Sequence, residues 1–156
     1  MSDEENEIQE AKQVNPLDLL PKSTLNLVQW KKMYSNNDTD IAMKWLWENF
    51  DYSGYSIWKV DYNYNNELKM TFMSNNLIGG FYRELEKYNK YCFGNLVVRG
   101  RDNDNIITGY FIFRGQGNIL AEFDNFTFTK INNSIPFEDI YSVFAWENCV
   151  SGKTFK

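Results

Sequence analysis

The 156-residue chain contains no histidine. That removes the side chain that ordinarily titrates near neutral pH. It also removes the Ser–His and Cys–His pairs that activate nucleophiles, and nearly every zinc site other than an all-cysteine one. Two cysteines, Cys92 and Cys149, cannot supply four thiolates, and they form no CxxC pair. They read as small buried hydrophobes, because no secretory signal is seen and a disulfide needs an oxidising compartment. Asn-x-Ser/Thr at Asn37, Asn125 and Asn132 is put down to chance in an asparagine-rich chain. No apolar run approaches the roughly 20 residues of a membrane span. There is no GxxxxGK motif ending in Ser or Thr and no GxSxG. Gly115-x-Gly117 lacks the third glycine and the following helix of a dinucleotide fingerprint. Asp102-x-Asp104 opens like a calcium loop, but the sixth position, which must be glycine, is Ile107. A solvated hairpin is the reading kept there. Glu84 and Glu86 fall on a polar helix face. No catalytic residue, no cofactor site and no metal site is expected, and the chain reads as a cytosolic protein.

What the chain has in quantity is aromatic side chains: twelve Phe, ten Tyr and five Trp. Each buries a large area, so an aromatic-rich core is expected, and 156 residues are enough for one domain with a real core. The net charge of −5 is mostly local. Residues 1–12 hold five acids and one base, whereas the other 144 residues carry 16 acids against 15 bases. Residues 1–15 therefore read as a disordered acidic tail and residues 16–156 as the domain. Nothing in the near-neutral body favours nucleic acid or an anionic membrane.

The patterning predicts an α+β fold: an antiparallel sheet of about five strands flanked by helices, as a single domain. Pro16–Pro21 brackets three leucines and reads as an arm docked on the domain. Ser23 or Thr24 is expected to cap a helix through about Tyr34, with Leu27, Trp30, Met33 and Tyr34 inward. Asp38 or Thr39 is expected to cap a second helix to about Phe50 with Ala42, Trp45, Leu46 and Phe50 inward. Trp58, Val60, Tyr62 and Tyr64 alternate with Lys59, Asp61 and Asn63 as a half-buried strand. A second strand is expected over Leu68–Met73. A central helix should follow it, capped by Ser74, Asn75 or Asn76, with Ile78, Phe81, Leu85, Tyr88 and Cys92 as its stripe. Gly79 and Gly80 inside that helix predict close approach by another element. Further strands are expected at Asn95–Gly100, at Ile106–Arg114, which is apolar on both faces and hence central, and near Phe126–Thr129. Pro136 is expected to open a last helix whose stripe is Phe137, Ile140, Tyr141 and Phe144.

Three residues stand out as candidates for contact with a partner. Trp47 and Trp146 are either core or interface anchors, tryptophan being enriched at binding hot spots. Arg114 ends the central strand, and its fork can pair with a carboxylate across the fold or with a partner's acid. Trp58, Tyr62 and Tyr64 could form a stacking platform for bases, but the neighbours of the two tyrosines are Asp61 and Asn63 where such a surface carries interleaved Lys and Arg, which favours the core reading.

The stretch Phe72 to Leu85, FMSNNLIGGFYREL, resembles a segment of the C-terminal domain of elongation factor 1-gamma. The resemblance continues in PKST (Pro21–Thr24), KKMYSNNDT (Lys31–Thr39), Trp47 to Asp51, Gly54 to Trp58, Phe113 to Gly115, Phe144 to Glu147 and the terminal GKTFK. In order and spacing these cover nearly all of residues 16–156. The resemblance implies an α+β fold with a five-stranded antiparallel sheet. It also implies a non-catalytic structural or interaction role in the elongation factor 1B complex, supporting translation elongation. The implied partners are other elongation factor 1 subunits, namely the exchange subunits and the tRNA-delivering GTPase. Asn75 stands where the family often has cysteine, so no thiol role is carried over there. The segment after Glu147 is shorter than in the family, and no glutathione-transferase-like region is seen before the acidic tail. The alternative is a free-standing protein- or nucleic-acid-interaction module outside that complex, using the Trp58–Tyr64 face or Leu17–Leu20.

Overall fold

The computed structural model describes residues 15–117 and 119–156. All but the last residue of the acidic tail lies outside them. In chain order the elements are α1 (Leu27–Asn36), α2 (Thr39–Asn49), β1 (Tyr55–Tyr62), α3 (Thr71–Leu85), β2 (Cys92–Arg101), β3 (Asp104–Arg114), β4 (Phe126–Lys130), α4 (Phe137–Phe144) and β5 (Ser151–Phe155). Short 3₁₀ turns join them, one of them at Pro16–Leu19. The strands form one sheet in the order β4-β1-β3-β2-β5, and every neighbouring pair is antiparallel.

β3 is the middle strand, as its two apolar faces require. Ile107, Phe111 and Phe113 enter one core; Tyr110 and Ile112 enter the other. β2 alternates in the same way, with Cys92, Leu96 and Val98 on the first face and Phe93 and Val97 on the second. α3 covers the first face through Ile78, Phe81 and Leu85. Each such burial stabilises the fold by about 1.5–3 kcal/mol. α1, α2 and α4 cover the second face, around the fully buried Trp30. The arm docks as expected: Leu17 is buried, its N–H donates to Asn15 Oδ1 at 2.9 Å, and the Tyr91 hydroxyl donates to Asp18 at 2.8 Å. Among the described residues no helix is long and apolar enough to cross a membrane.

Leu68–Met73 is not a strand. Helix α3 begins at Thr71, so Ser74, Asn75 and Asn76 lie inside it rather than capping it. The cap comes from far along the chain. Asp102, in the tight turn between β2 and β3, accepts the Thr71 N–H at 2.9 Å, and Asn103 N–H donates to Lys69 O at 2.7 Å. Ser74 donates instead to the buried Asn105 at 2.6 Å. The fifth strand is the C-terminal segment, β5, paired to β2. The inward stripe of α3 also stops early. The helix ends at Leu85, a 3₁₀ turn carries Tyr88, and Cys92 opens β2. At its start α1 is capped by Asn26, whose side chain accepts from Gln29 N, while Ser23 bonds Asp51.

The glycine pair in α3 also differs from expectation. A Cβ at Gly79 would meet only the ends of the Lys153 and Arg83 side chains, at 3.4 and 3.8 Å, and one at Gly80 only Arg83 at 3.7 Å. No backbone approaches either residue, so Gly80 costs helix stability without a packing return. Gly80→Ala is therefore expected to stabilise the fold by about 1 kcal/mol. That corresponds to about 2–4 °C in a thermal melt for a domain of this size. An unchanged or lowered melting temperature would show that the position is more constrained than its surroundings indicate.

Candidate functional site

The aromatic row of β1 is turned inward. Trp58 and Tyr62 pack against the α3-side core, and the Trp58 indole donates to Ser56 Oγ at 2.8 Å. Gly117, at φ 96°, closes over the Trp58 ring so tightly that a Cβ there would lie 2.4 Å from it. Tyr64 lies outside the strand and meets Tyr62 edge-on with centroids 5.6 Å apart. This is core packing with one exposed tyrosine at its end, not a row of open ring faces for bases.

The cysteines are free. Burial pushes the Cys92 thiol up to about 12, and its Sγ donates to Tyr88 O at 3.3 Å. Burial raises Cys149 as well. Thiols held protonated are poor nucleophiles. No cluster of three or more metal-ligating side chains occurs among the described residues.

Arg114 takes neither an acid across the fold nor an outward pose. Its two terminal nitrogens donate to the Gly54 and Pro21 carbonyls, each at 2.5 Å, and the guanidinium lies 5.4 Å from the centre of the Tyr55 ring. The residue thus joins three parts of the chain: the end of β3, the turn before β1, and the arm. Asp51 completes this anchor. Its carboxylate accepts from the Ser53 hydroxyl at 2.6 Å, from Ser53 N–H at 3.1 Å and from the Ser23 hydroxyl at 2.7 Å. Those bonds, Ser53's first and then Ser23's, lower its pKa to about 2.

Trp47 packs at the start of α4 and Trp146 follows its end. Trp47, on α2, meets Phe137 edge-on with centroids 4.9 Å apart. Between α2 and α4 runs a cleft of about 540 Å³ whose apolar lining is Met43, Trp47, Phe137 and Tyr141. Asp40, Lys44, Glu138 and Glu147 supply its charges. Phe137 was expected in the core and is instead 49% exposed. It is the first residue of an eight-residue helix, and its place in the stripe falls beyond the edge of the sheet-covering face. Ile140, Val143 and Phe144 are buried, and Tyr141 is half-buried against the same core.

Trp146 follows the C-terminus of α4 and is 42% exposed. Its N–H donates to Val143 O at 3.2 Å and Glu147 N–H donates to Ser142 O at 2.8 Å. This is the double hydrogen bond of a Schellman ending, which favours glycine at the left-handed position. Trp146 occupies that position at φ 59°, where a Cβ costs about 1–2 kcal/mol. The residue type made Trp47 and Trp146 visible in the sequence. Nothing there marks Phe137, Tyr141, Glu138 or Glu147 as neighbours of Trp47, since the cleft exists only where two sequence-distant helices lie side by side, and Trp146 does not line it.

The fold and these surfaces define an α+β domain with an open antiparallel sheet, whose distinctive side chains are aromatic groups set between helices. The sequence model described as elongation factor 1 gamma, conserved domain, matches residues 12–117. The chain is 43% identical over 155 residues to elongation factor 1-gamma 1 of Saccharomyces cerevisiae, covering 94% of this chain and 37% of that protein. It is 39% identical over 148 residues to elongation factor 1-gamma of Schizosaccharomyces pombe, covering 89% and 36%. It is 34% identical over 156 residues to a probable elongation factor 1-gamma of Caenorhabditis elegans, covering 94% and 39%. The chain belongs to the elongation factor 1-gamma family, and it spans little more than a third of the length of these relatives.

Asp51 gives a pH test of the arm's anchor. Its folded pKa of about 2 lies below the ordinary value of about 3.9. Its hydrogen bonds therefore contribute fully above about pH 4 and are lost as pH falls through about 2. A carboxyl-carbon NMR titration of Asp51 is expected to give a midpoint near 2, with the Ser23 and Leu25 resonances moving alongside it. A midpoint near 4 would mean that the Ser23 and Ser53 bonds are not held in solution.

Proposed function

We propose that this chain is a non-catalytic subunit domain of the elongation factor 1 complex and supports translation elongation in the cytosol through contacts with the complex's other subunits. The observation that carries this reading is the family match, which spans most of the chain at 43% identity to the Saccharomyces cerevisiae relative. The side-chain chemistry supports it. A chain without histidine, and with both thiols held protonated, has few means of proton transfer or nucleophilic attack near neutral pH. Its partners in this reading are the exchange subunits and the tRNA-delivering GTPase. The work is done by surfaces, with Trp47 and Trp146 as the aromatic anchors, and Arg114 serving chiefly to hold the arm.

Affinity capture of the chain from a lysate of its source cells, read by mass spectrometry, tests the proposal. The expected outcome is recovery of other elongation factor 1 subunits above a mock bait. A folded, abundant bait that recovers none of them would overturn the assignment to the complex.

A further inference from the structure

The α2–α4 cleft combines two properties. Its floor is apolar: the exposed Phe137 touches the half-buried Trp47 edge-on, with half-buried Tyr141 and the buried Met43 beside them. A single exposed phenylalanine needs no explanation. This one shares an open concavity of about 540 Å³ with a tryptophan, a methionine and a tyrosine, so the exposed apolar surface is contiguous rather than scattered. Its rim is acidic. Asp40, Glu138 and Glu147 face a single cation, Lys44, whose ammonium already lies 4.0 Å from Glu48. None of those three carboxylates makes an ion pair or a side-chain hydrogen bond among the described residues. The rim's net charge of −2 exceeds the net −1 of the whole 144-residue body. The negative charge is thus concentrated around apolar surface.

We infer that the cleft between α2 and α4 is a docking site for a protein segment that carries lysine or arginine around one or two large apolar side chains. The apolar side chains lie against the joined rings of Trp47 and Phe137 and against Tyr141, and the cations meet Asp40, Glu138 and Glu147. Aromatic floor residues ringed by complementary charge are the usual composition of an interface centre and its rim. The same carboxylates repel nucleic-acid phosphates and anionic lipid headgroups, which leaves a basic polypeptide as the occupant. The inference stands on the cleft's own chemistry, whichever assembly the chain joins.

The test uses the full ¹⁵N-labelled chain and two synthetic amphipathic peptides with leucine at helical spacing. One has lysine at every other position of its polar face, and its control has glutamate there. The lysine peptide is expected to shift the amide resonances of α2 and α4, and the glutamate peptide to shift none. The Glu138→Lys/Glu147→Lys double variant is expected to bind the lysine peptide at least tenfold more weakly while its amide spectrum remains that of the folded domain. Equal binding of both peptides, no binding of either, shifts confined to residues 1–12, or an affinity unmoved by the double variant would each overturn the inference.

Discussion

The structure depends on the ring of Phe111 lying across the backbone of Gly94. A Cβ at Gly94 would fall 2.3 Å from the ring's Cγ, so residue 94 has to be glycine for the ring to lie there. The ring sits within about 6 Å, centre to centre, of Phe81, Tyr82, Phe113 and Phe155. Those four come from α3, β3 and β5, so one side chain in the middle strand locates a helix and an edge strand far apart in sequence. Tyr82 turns that packing into geometry. Its hydroxyl accepts the Leu96 N–H of β2 at 3.0 Å and donates to the Lys153 carbonyl of β5 at 2.5 Å. Burial raises its pKa far above the ordinary tyrosine value, which keeps the donor proton in place.

The opposite face is organised by Trp30, buried against Phe93 edge-on and stacked on Trp45. α4 is held there by a polar contact as well as by Phe144. Asp139, in its first turn, accepts from the Tyr110 hydroxyl at 2.5 Å and from Arg99 at 3.3 Å. With Asp139 tied to the sheet and Ile140, Val143 and Phe144 in the core, Phe137 and Tyr141 are left toward α2. The cleft is thus a consequence of how the helix is fixed. The interior supplies rigidity, and the surface between α2 and α4 supplies exposed aromatic and acidic groups in preset positions.

Much of this was legible in the sequence, and the reasons differ by element. β3 was readable as the middle strand because period two, with apolar residues on both faces, has one structural solution. α1 and α2 were readable from spacing, and the β2–β3 turn from its Asp-Asn composition. Local pattern puts the start of α3 four to six residues late because its cap, Asp102, comes from the neighbouring hairpin, and no local pattern encodes a nonlocal cap. The strand count of five held while one member was misplaced. Ser151–Phe155 carries no apolar alternation and becomes a strand by pairing with β2. Arg114 was marked by its type and position, yet its carbonyl partners depend on where the arm docks. The family was legible through extended resemblance, which residue chemistry alone could not have supplied.

The fit of Phe111 to Gly94 can be measured by a double-mutant cycle of Gly94→Ala and Phe111→Leu in denaturant unfolding. Each substitution alone is expected to destabilise: the first by overpacking, about 1–3 kcal/mol, the second by lost aromatic volume. If the ring and the missing Cβ compete for one space, the double variant will be more stable than the sum of the two losses by about 1 kcal/mol or more. Additive losses would contradict the account, because they would mean that Gly94 and Phe111 do not constrain one another and that the sheet is held together elsewhere.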